Sequence, residues 1–250
     1  MKNYLLLLGA LLFCFSACQR PFSPTTTRVQ QYRIEPEQAL VEDSSIIAFL
    51  APFKTQLEAE MNVVLGESTI ELTKARPESS LGNWAADVTH IQCEKLYGKS
   101  IDFAIVNYGG LRISQLPKGP ITRGKIFELM PFDNMLVVLE ASGSVVHELF
   151  DLMADHGGWP ISHSVRYSIK NDKAENIRIN GLPLALKKIY RIGLTDFVAN
   201  GGDRCFFLKD QPRVVLSMRF RDALMAFVEE ETKAGRGIFG EVEGRVVESR

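Results

Sequence analysis

The stretch FVANGGD, residues 197–203, decides the fold that the sequence suggests. It sets the aromatic side chain of Phe197 beside a Gly-Gly turn that ends in the carboxylate of Asp203. Because glycine lets the backbone approach a ligand closely, this arrangement suits the binding of a flat, hydroxylated molecule. Two upstream segments also pair turn residues with an apolar run: NYGGLR at 107–112 after the run 101–106, and PFDN at 131–134 before the run 135–139.

A fourth segment, RPESSLGN at residues 76–83, completes the pattern. Together the four segments resemble the C-terminal, substrate-binding domain of the 5′-nucleotidase family, in the family's order and at about its spacing, from roughly Val63 to Val247. The resemblance implies an α+β fold with α/β layering, in which mixed β-sheets are flanked by helices. It also implies a nucleotide or nucleoside ligand.

The N-terminus has the composition of a bacterial export signal. Lys2 precedes an apolar run over residues 4–13, which is too short to span a bilayer. The segment FSAC, residues 15–18, resembles a lipobox, and this implies that Cys18 is lipidated and becomes the mature N-terminus. An ordinary soluble secreted protein is the alternative.

Three regions follow from this interpretation. Residues 1–17 are predicted to be a lipoprotein signal peptide, residues 18–40 a tether containing a Pro/Ser/Thr-rich stretch, and residues 41–250 a 5′-nucleotidase C-terminal-like domain. The expected location is the bacterial cell envelope, periplasmic or surface-exposed, with membrane contact through the lipid anchor only.

Charge and cysteine content limit the classes of partner. The 250 residues carry 29 basic and 30 acidic side chains, so no basic field points to a nucleic acid polymer. Cys93 and Cys205 remain after the signal peptide and the lipidated cysteine are set aside. In an exported protein they either form a disulfide or stay as separate buried thiols, because a sequence does not give their separation.

Hydrophobic periodicity predicts alternating helices and strands in the first half and strands in the second. Asn180-Gly181 is predicted to be a hairpin turn. Helices are predicted at residues 43–61, 80–97, 122–130, 144–154 and 220–230, and strands at residues 101–106, 135–140, 165–169, 175–179 and 189–194. The family resemblance implies a closing strand at residues 242–247.

The resemblance assigns roles to the polar and aromatic residues of these motifs. Phe132 and Phe197 are expected to sandwich the nucleobase, although either one taken alone is more typical of a core residue. Asp203 is expected to accept hydrogen bonds from ribose hydroxyls. Asn107 and Asn134 offer the paired donor and acceptor that a base edge requires, and the family match favours Asn107.

Two arginines are expected to face phosphate. Arg112 follows Gly109-Gly110, where backbone amides and a guanidinium can hold an anion together. Arg76 resembles the family's second phosphate-facing arginine, but an extra residue shifts that match toward Lys74. A solvated surface charge is the alternative for both.

The sequence departs from the family pattern at two positions expected near the pocket. Members of the family have Gly-Gly-Asp-Gly where this chain has residues 201–204, so Arg204 replaces the last glycine. They have Ser-Gly where this chain has His163-Ser164. Larger side chains at these positions are expected to narrow the pocket or add a cation.

Full-length members of the family also carry a metallophosphatase domain, and its Asp-x-His, Gly-Asn-His-Asp and Gly-His-x-His motifs do not occur in this sequence. We therefore expect no cofactor in this chain, with divalent metals in a separately encoded metallophosphatase. The sequence leaves three interpretations of the function of this chain. It is the substrate-binding subunit of a split enzyme, a nucleotide-binding or nucleoside-binding module, or a structural lipoprotein. The histidines His90, His147, His156 and His163 are interpreted as surface or packing residues.

Overall fold

The computed structural model describes residues 29–30 and 43–249. The predicted signal peptide, the lipidation site at Cys18 and almost all of the tether lie outside the described residues. A compact unit extends over Phe49–Arg250.

Helices form where the sequence places amphipathic runs with capping residues. The Asp43 carboxylate accepts the Ser45 N–H at 2.9 Å, and Thr122 accepts the Lys125 N–H at 3.2 Å. Gly98 ends the second helix in the left-handed region at φ 72°. The helices of the described residues are α1 Ser44–Met61, α2 Ser80–Tyr97, α3 Arg123–Leu129, α4 Gly143–Asp155, α5 Asp196–Ala199 and α6 Phe220–Lys233.

The strands form two four-stranded mixed sheets and two small two-stranded sheets. The central sheet has the order β11-β6-β10-β3, the second sheet β12-β7-β8-β9, and the small ones pair β1 with β5 and β2 with β4. The strands are β1 Val64–Ser68, β2 Leu72–Thr73, β3 Phe103–Ala104, β4 Gln115–Leu116, β5 Gly119–Thr122, β6 Met135–Ser142, β7 Val165–Lys170, β8 Lys173–Ile179, β9 Leu182–Pro183, β10 Ile189–Thr195, β11 Arg213–Arg219 and β12 Val246–Glu248. The α+β prediction, with mixed sheets flanked by helices, is confirmed.

The central sheet separates two hydrophobic cores. Val137 and Leu139 of β6 face one core, which also contains α4, β7 and β8. Leu136 and Val138 face the other, which also contains α2 and α6. Successive side chains of a strand point to opposite faces, so a strand buried on both sides is apolar at every position. This explains why residues 135–139 are an unbroken apolar run.

The structure corrects two of the strand predictions and adds a strand at the edge of the central sheet. The run 101–106 forms a regular strand only at Phe103–Ala104, because β10 pairs with these two residues alone. The strand predicted at 242–247 is confined to Val246–Glu248. Strand β11, which the sequence does not reveal, lies at the edge of the central sheet with two exposed valines, Val214 and Val215, and so lacks the buried alternation of an inner strand.

A buried arginine fixes the C-terminal strand to α2. Arg245 is only 2 % exposed and donates to both carboxylate oxygens of Asp87, at 2.8 and 2.7 Å. The backbone N–H of Arg245 donates to Glu78 at 2.8 Å. Because removing one partner of a buried ion pair leaves an uncompensated charge, loss of the Asp87 carboxylate should destabilise the domain strongly.

The two cysteines of the domain are separate buried thiols. Cys93 belongs to α2 and lies in the core that also contains α6, whereas Cys205 lies in the core on the other side of the central sheet. Burial raises the pKa of each thiol to about 12. Among the described residues, none of the helices has the length and apolar character needed to cross a membrane.

Candidate functional site

The motif segments meet at one edge of the central sheet. Strand β10 runs parallel to β3 and antiparallel to β6, with Gly193 opposite Ala104 and Thr195 opposite Leu136. The segments that follow β3, precede β6 and follow β10 therefore share an edge. They enclose a cleft of about 220 Å³ lined by Asn107, Gly109, Gly110, Arg112, Phe132, Asn134, Phe197 and Asp203.

Two aromatic rings stand partly exposed in this cleft. Phe132 is 40 % exposed and Phe197 is 42 % exposed, so neither is the core residue that a lone phenylalanine usually is. The Phe197 ring packs on Gly202, where an added Cβ would lie 2.5 Å from two ring atoms. The glycine is therefore needed to let the ring lie against the turn.

The segment that carries Phe132 is held by a residue that the sequence analysis missed. Arg221, at the start of α6, donates to the Phe132 carbonyl at 3.3 Å and to the Asp133 carboxylate at 2.7 Å. The hydrogen bond from Arg221, and then the charge of Arg219, lower the pKa of Asp133. Nothing in the local sequence around Arg221 signals this role, because its partners lie 88 and 89 residues away in the chain.

The two asparagines of the cleft differ in what their side chains do. The Asn107 amide nitrogen donates to the Asp203 carboxylate at 2.7 Å, which uses one of its two N–H groups and fixes the orientation of the amide. Asn134 lines the same cleft and is half-buried, and its backbone carbonyl accepts the Phe220 N–H at 2.8 Å. Asn107 is thus engaged by Asp203, whereas the Asn134 side chain has no hydrogen-bond partner among the described residues and is available to a ligand.

Two cationic side chains lie at the ring of Tyr108, next to the cleft, and a third lies at the ring of Phe132. The Lys74 ammonium and the Arg76 guanidinium each lie 4.0 Å from the centre of the Tyr108 ring. Arg112 lies 5.8 Å from the centre of the Phe132 ring and donates to the Gly109 carbonyl at 3.3 Å. Desolvation, followed by the charges of Arg112 and Arg76, lowers the pKa of Lys74.

No carboxylate among the described residues pairs with any of these three cations, so their charge is available to an anion. Lys74 and Arg76 were alternatives for the second phosphate-facing cation, and both lie at the Tyr108 ring. Arg76 is the one predicted site residue that does not line the cleft itself. The amide of Gly110 is bonded to the Asn107 carbonyl at 2.9 Å and is not free for an anion.

Comparison with known proteins identifies the family. The family model described as "5′-nucleotidase, C-terminal domain" matches residues 59–210, more than half of the chain. The chain belongs to the 5′-nucleotidase C-terminal domain family. A "5′-nucleotidase" of Vibrio parahaemolyticus is 29 % identical over 183 residues, which are 70 % of this chain and 31 % of that protein.

Two further relatives support the same family assignment. "Protein UshA" of Escherichia coli is 27 % identical over 201 residues, covering 77 % of this chain and 36 % of that protein. The crystal structure of a 5′-nucleotidase precursor from Thermus thermophilus matches with a TM-score of 0.67 and 26 % identity, covering 82 % of this chain and 42 % of that chain. The chain therefore spans about a third of the length of these curated relatives, in a family related to nucleotide hydrolysis.

The two departures from the family pattern do not narrow the cleft. Arg204 adopts φ 71°, a backbone angle that favours glycine, and its side chain donates to Asp155 at 3.1 Å instead of entering the cleft. His163 and Ser164 line a different cleft of about 740 Å³. The expected effect of these replacements on the pocket is therefore not found.

The charges of that larger cleft are satisfied within the protein. Lys188 pairs with Asp102 at 2.7 Å, and Arg191 pairs with Glu140 at 3.1 Å. In the part of the chain that the structure describes, no group of three or more His, Cys, Asp or Glu side chains is arranged to hold a metal ion. We derive no metal-dependent step for these residues.

Proposed function

We propose that the chain is the nucleotide-binding, substrate-recognition subunit of a split 5′-nucleotidase-type phosphoric ester hydrolase that acts in nucleotide catabolism. One observation carries the proposal: Phe132 and Phe197 are both partly exposed in a single cleft that also holds Asp203 and Arg112. An aromatic pair with a carboxylate and a cation beside it matches the base, ribose and phosphate of a nucleotide.

Each part of a nucleotide has a counterpart in this cleft. The two phenylalanines stack on the base, and such stacking contributes about 1–3 kcal/mol per base in single-strand binders. The Asn134 amide reads the base edge and the Asp203 carboxylate accepts from ribose hydroxyls. Arg112 in the cleft attracts the phosphate, together with Lys74 and Arg76 at the neighbouring Tyr108 ring.

Hydrolysis requires groups supplied by a second protein. The metal-binding motifs of the family's metallophosphatase domain do not occur in this sequence. A separately encoded metallophosphatase would bring two divalent ions and the activated water to the phosphate of the bound nucleotide. The cations near the cleft, which pair with no carboxylate among the described residues, would hold the phosphate in this division.

A second candidate is a nucleotide-binding or nucleoside-binding lipoprotein that captures ligand without hydrolysis, and the same cleft supports it. A structural lipoprotein without a ligand is disfavoured, because exposed aromatic rings and unpaired cations add nothing to the core. In either leading case we propose that Cys18 anchors the protein in the bacterial cell envelope. The anchoring cysteine lies outside the described residues.

Two measurements test the proposal. Calorimetric titration of the purified chain with AMP should show saturable binding, while the chain alone should release no phosphate from AMP. A metallophosphatase encoded beside this gene should then release phosphate in the presence of the chain. Binding that persists without any hydrolysis in the mixture favours the capture module, and absence of AMP binding overturns both.

A further inference from the structure

The hydrogen bond between Asn107 and Asp203 joins a buried side chain to an exposed one. Asn107 is only 4 % exposed, whereas Asp203 is exposed at the cleft. Their separation is 2.7 Å between Nδ2 and Oδ2. An ionised carboxylate only accepts hydrogen bonds, so the amide nitrogen must face it and the amide oxygen must face away.

The amide oxygen of Asn107 is left without a partner among the described residues. Its Oδ1 atom is buried, and the Gly110 backbone lies so close that an added Cβ there would be 2.7 Å from it. A buried acceptor without a donor is unfavourable for stability. The asparagine is therefore poorly explained as a stabilising residue, although its amide nitrogen donates to Asp203.

The Asp203 backbone sits in a turn that does not fix the carboxylate by itself. Asp203 has φ 50° and follows Gly201 at φ 91° and Gly202. The bond from Asn107 comes from the segment after β3, whereas Asp203 belongs to the segment after β10. This hydrogen bond holds the Oδ2 atom of Asp203 and leaves its Oδ1 atom for a ligand in the cleft.

We propose that Asn107 is a positioning residue: it orients the Asp203 carboxylate toward the ribose hydroxyls and so makes the cleft select nucleosides that carry those hydroxyls. This inference rests on the proposed nucleotide-binding function. It gives Asn107 a role other than contact with the base edge. It also explains why position 110, two residues after Tyr108, is a glycine, since a larger residue there would displace the Asn107 amide.

The test compares adenosine with 2′,3′-dideoxyadenosine by calorimetric titration. The wild type should prefer adenosine by about tenfold or more, because a hydrogen bond to a charged group is lost with the dideoxy ligand. Asn107→Leu, which is similar in shape, should reduce that preference severalfold, because it should weaken adenosine binding more than dideoxyadenosine binding. In a double-mutant cycle, Asn107→Leu should have no further effect on the preference in an Asp203→Ala background.

A second variant adds a readout that a purely structural role would not move. Asn107→Asp sets two carboxylates side by side, and such a pair shares one proton when the pH falls. The adenosine preference of this variant should be lost at about pH 8 and return in part at about pH 5, with the wild type measured at both pH values for comparison.

The outcomes separate this inference from the function on which it rests. Wild-type protein that binds neither nucleoside nor AMP overturns the proposed function, and this inference with it. Wild-type protein that binds adenosine, with Asn107→Leu folded by circular dichroism and keeping the full preference, overturns the positioning role alone. The same holds if Asn107→Asp shows a pH-independent preference equal to that of the wild type.

Discussion

The Asp196 carboxylate accepts the backbone N–H of Met135 at 3.1 Å, and this contact ties together the two segments that carry Phe197 and Phe132. Asp196 begins α5 immediately before Phe197, and Met135 begins β6 just after the PFDN turn. The spacing of the two aromatic rings therefore depends on a residue that itself lies outside the cleft.

Replacement of Asp196 should disturb both rings at once. Asp196→Ala removes a charge-assisted hydrogen bond, so we expect a stability loss of about 1–3 kcal/mol in urea unfolding and weaker adenosine binding. Asp196→Asn keeps an acceptor oxygen and should retain most of both properties. Asp210→Ala, at an exposed loop carboxylate, serves as the control. Unchanged adenosine affinity in Asp196→Ala would show that the contact does not set the ring spacing.

The stacking and charged contacts of the cleft should separate in binding experiments. Phe197→Ala should weaken adenosine and AMP equally, by about 1–3 kcal/mol, because both ligands present the same aromatic face. Arg112→Ala should weaken AMP more than adenosine, since a hydrogen bond to a charged group contributes about 1.5–3 kcal/mol.

Matched controls exist for both substitutions. Phe206 is 65 % exposed and does not line the cleft, so Phe206→Ala should leave affinity unchanged. Arg178 also donates to a backbone carbonyl at the surface, at 3.1 Å, and does not line the cleft, so Arg178→Ala is the control for Arg112→Ala and should leave affinity unchanged. Equal affinities in Phe197→Ala, Arg112→Ala and the two control variants would contradict the assignment of the cleft.

The buried imidazole of His90 should make stability depend on pH. Desolvation lowers the pKa of His90 below its ordinary value of 6.5, and His163 adds to this, while Glu94 and Asp87 oppose it. Near pH 6.5 the unfolded chain then binds more protons than the folded protein. The contribution of His90 to the free energy of unfolding is therefore fully present above that pH and is lost as the pH falls below it.

Urea unfolding at about pH 7.5 and about pH 5.5 measures this loss. His90→Gln should reduce the difference in unfolding free energy between the two pH values. His147→Gln, at a partly exposed position on α4, should leave the difference unchanged. A difference that survives in His90→Gln would assign the effect to another group.

The two cysteines of the domain should be unreactive in the folded protein. Because burial raises both pKa values to about 12, neither Cys93 nor Cys205 carries an appreciable thiolate at mildly alkaline pH. A thiol reagent applied to a chain lacking residues 1–17 and carrying Cys18→Ser should label neither in buffer and both in guanidinium chloride. Failure to label either one in denaturant before reduction would reveal a disulfide.

The lipobox interpretation remains a prediction and is tested in cells. Cys18→Ala should move the protein from the membrane fraction to the soluble fraction, since the anchor is the acyl chains of that cysteine. Ser16→Ala, which keeps the cysteine, is the matched control and should remain with the membrane. Retention of Cys18→Ala in the membrane after a high-salt wash would contradict lipid anchoring.

The sequence by itself determined the family, the α+β class and most of the elements. Helix α2 and the turn at Asn180-Gly181 follow from local signals: Gly98 ends the helix, and the turn residues adopt φ 54° and φ 76° as a two-residue hairpin requires. Six of the seven predicted site residues line one cleft, because their motifs lie at strand ends that share an edge.

Only the tertiary structure decided what those side chains contact. Asn107 meets Asp203 from 96 positions away, Arg221 reaches the PFDN turn from 88 or more, and the central sheet keeps Cys93 and Cys205 in different cores. Periodicity and capping are local properties that neighbouring residues in the chain establish. The partner of a polar side chain, in contrast, depends on which distant segments the sheet brings together, and for this chain that pairing decides which asparagine is free to meet a ligand.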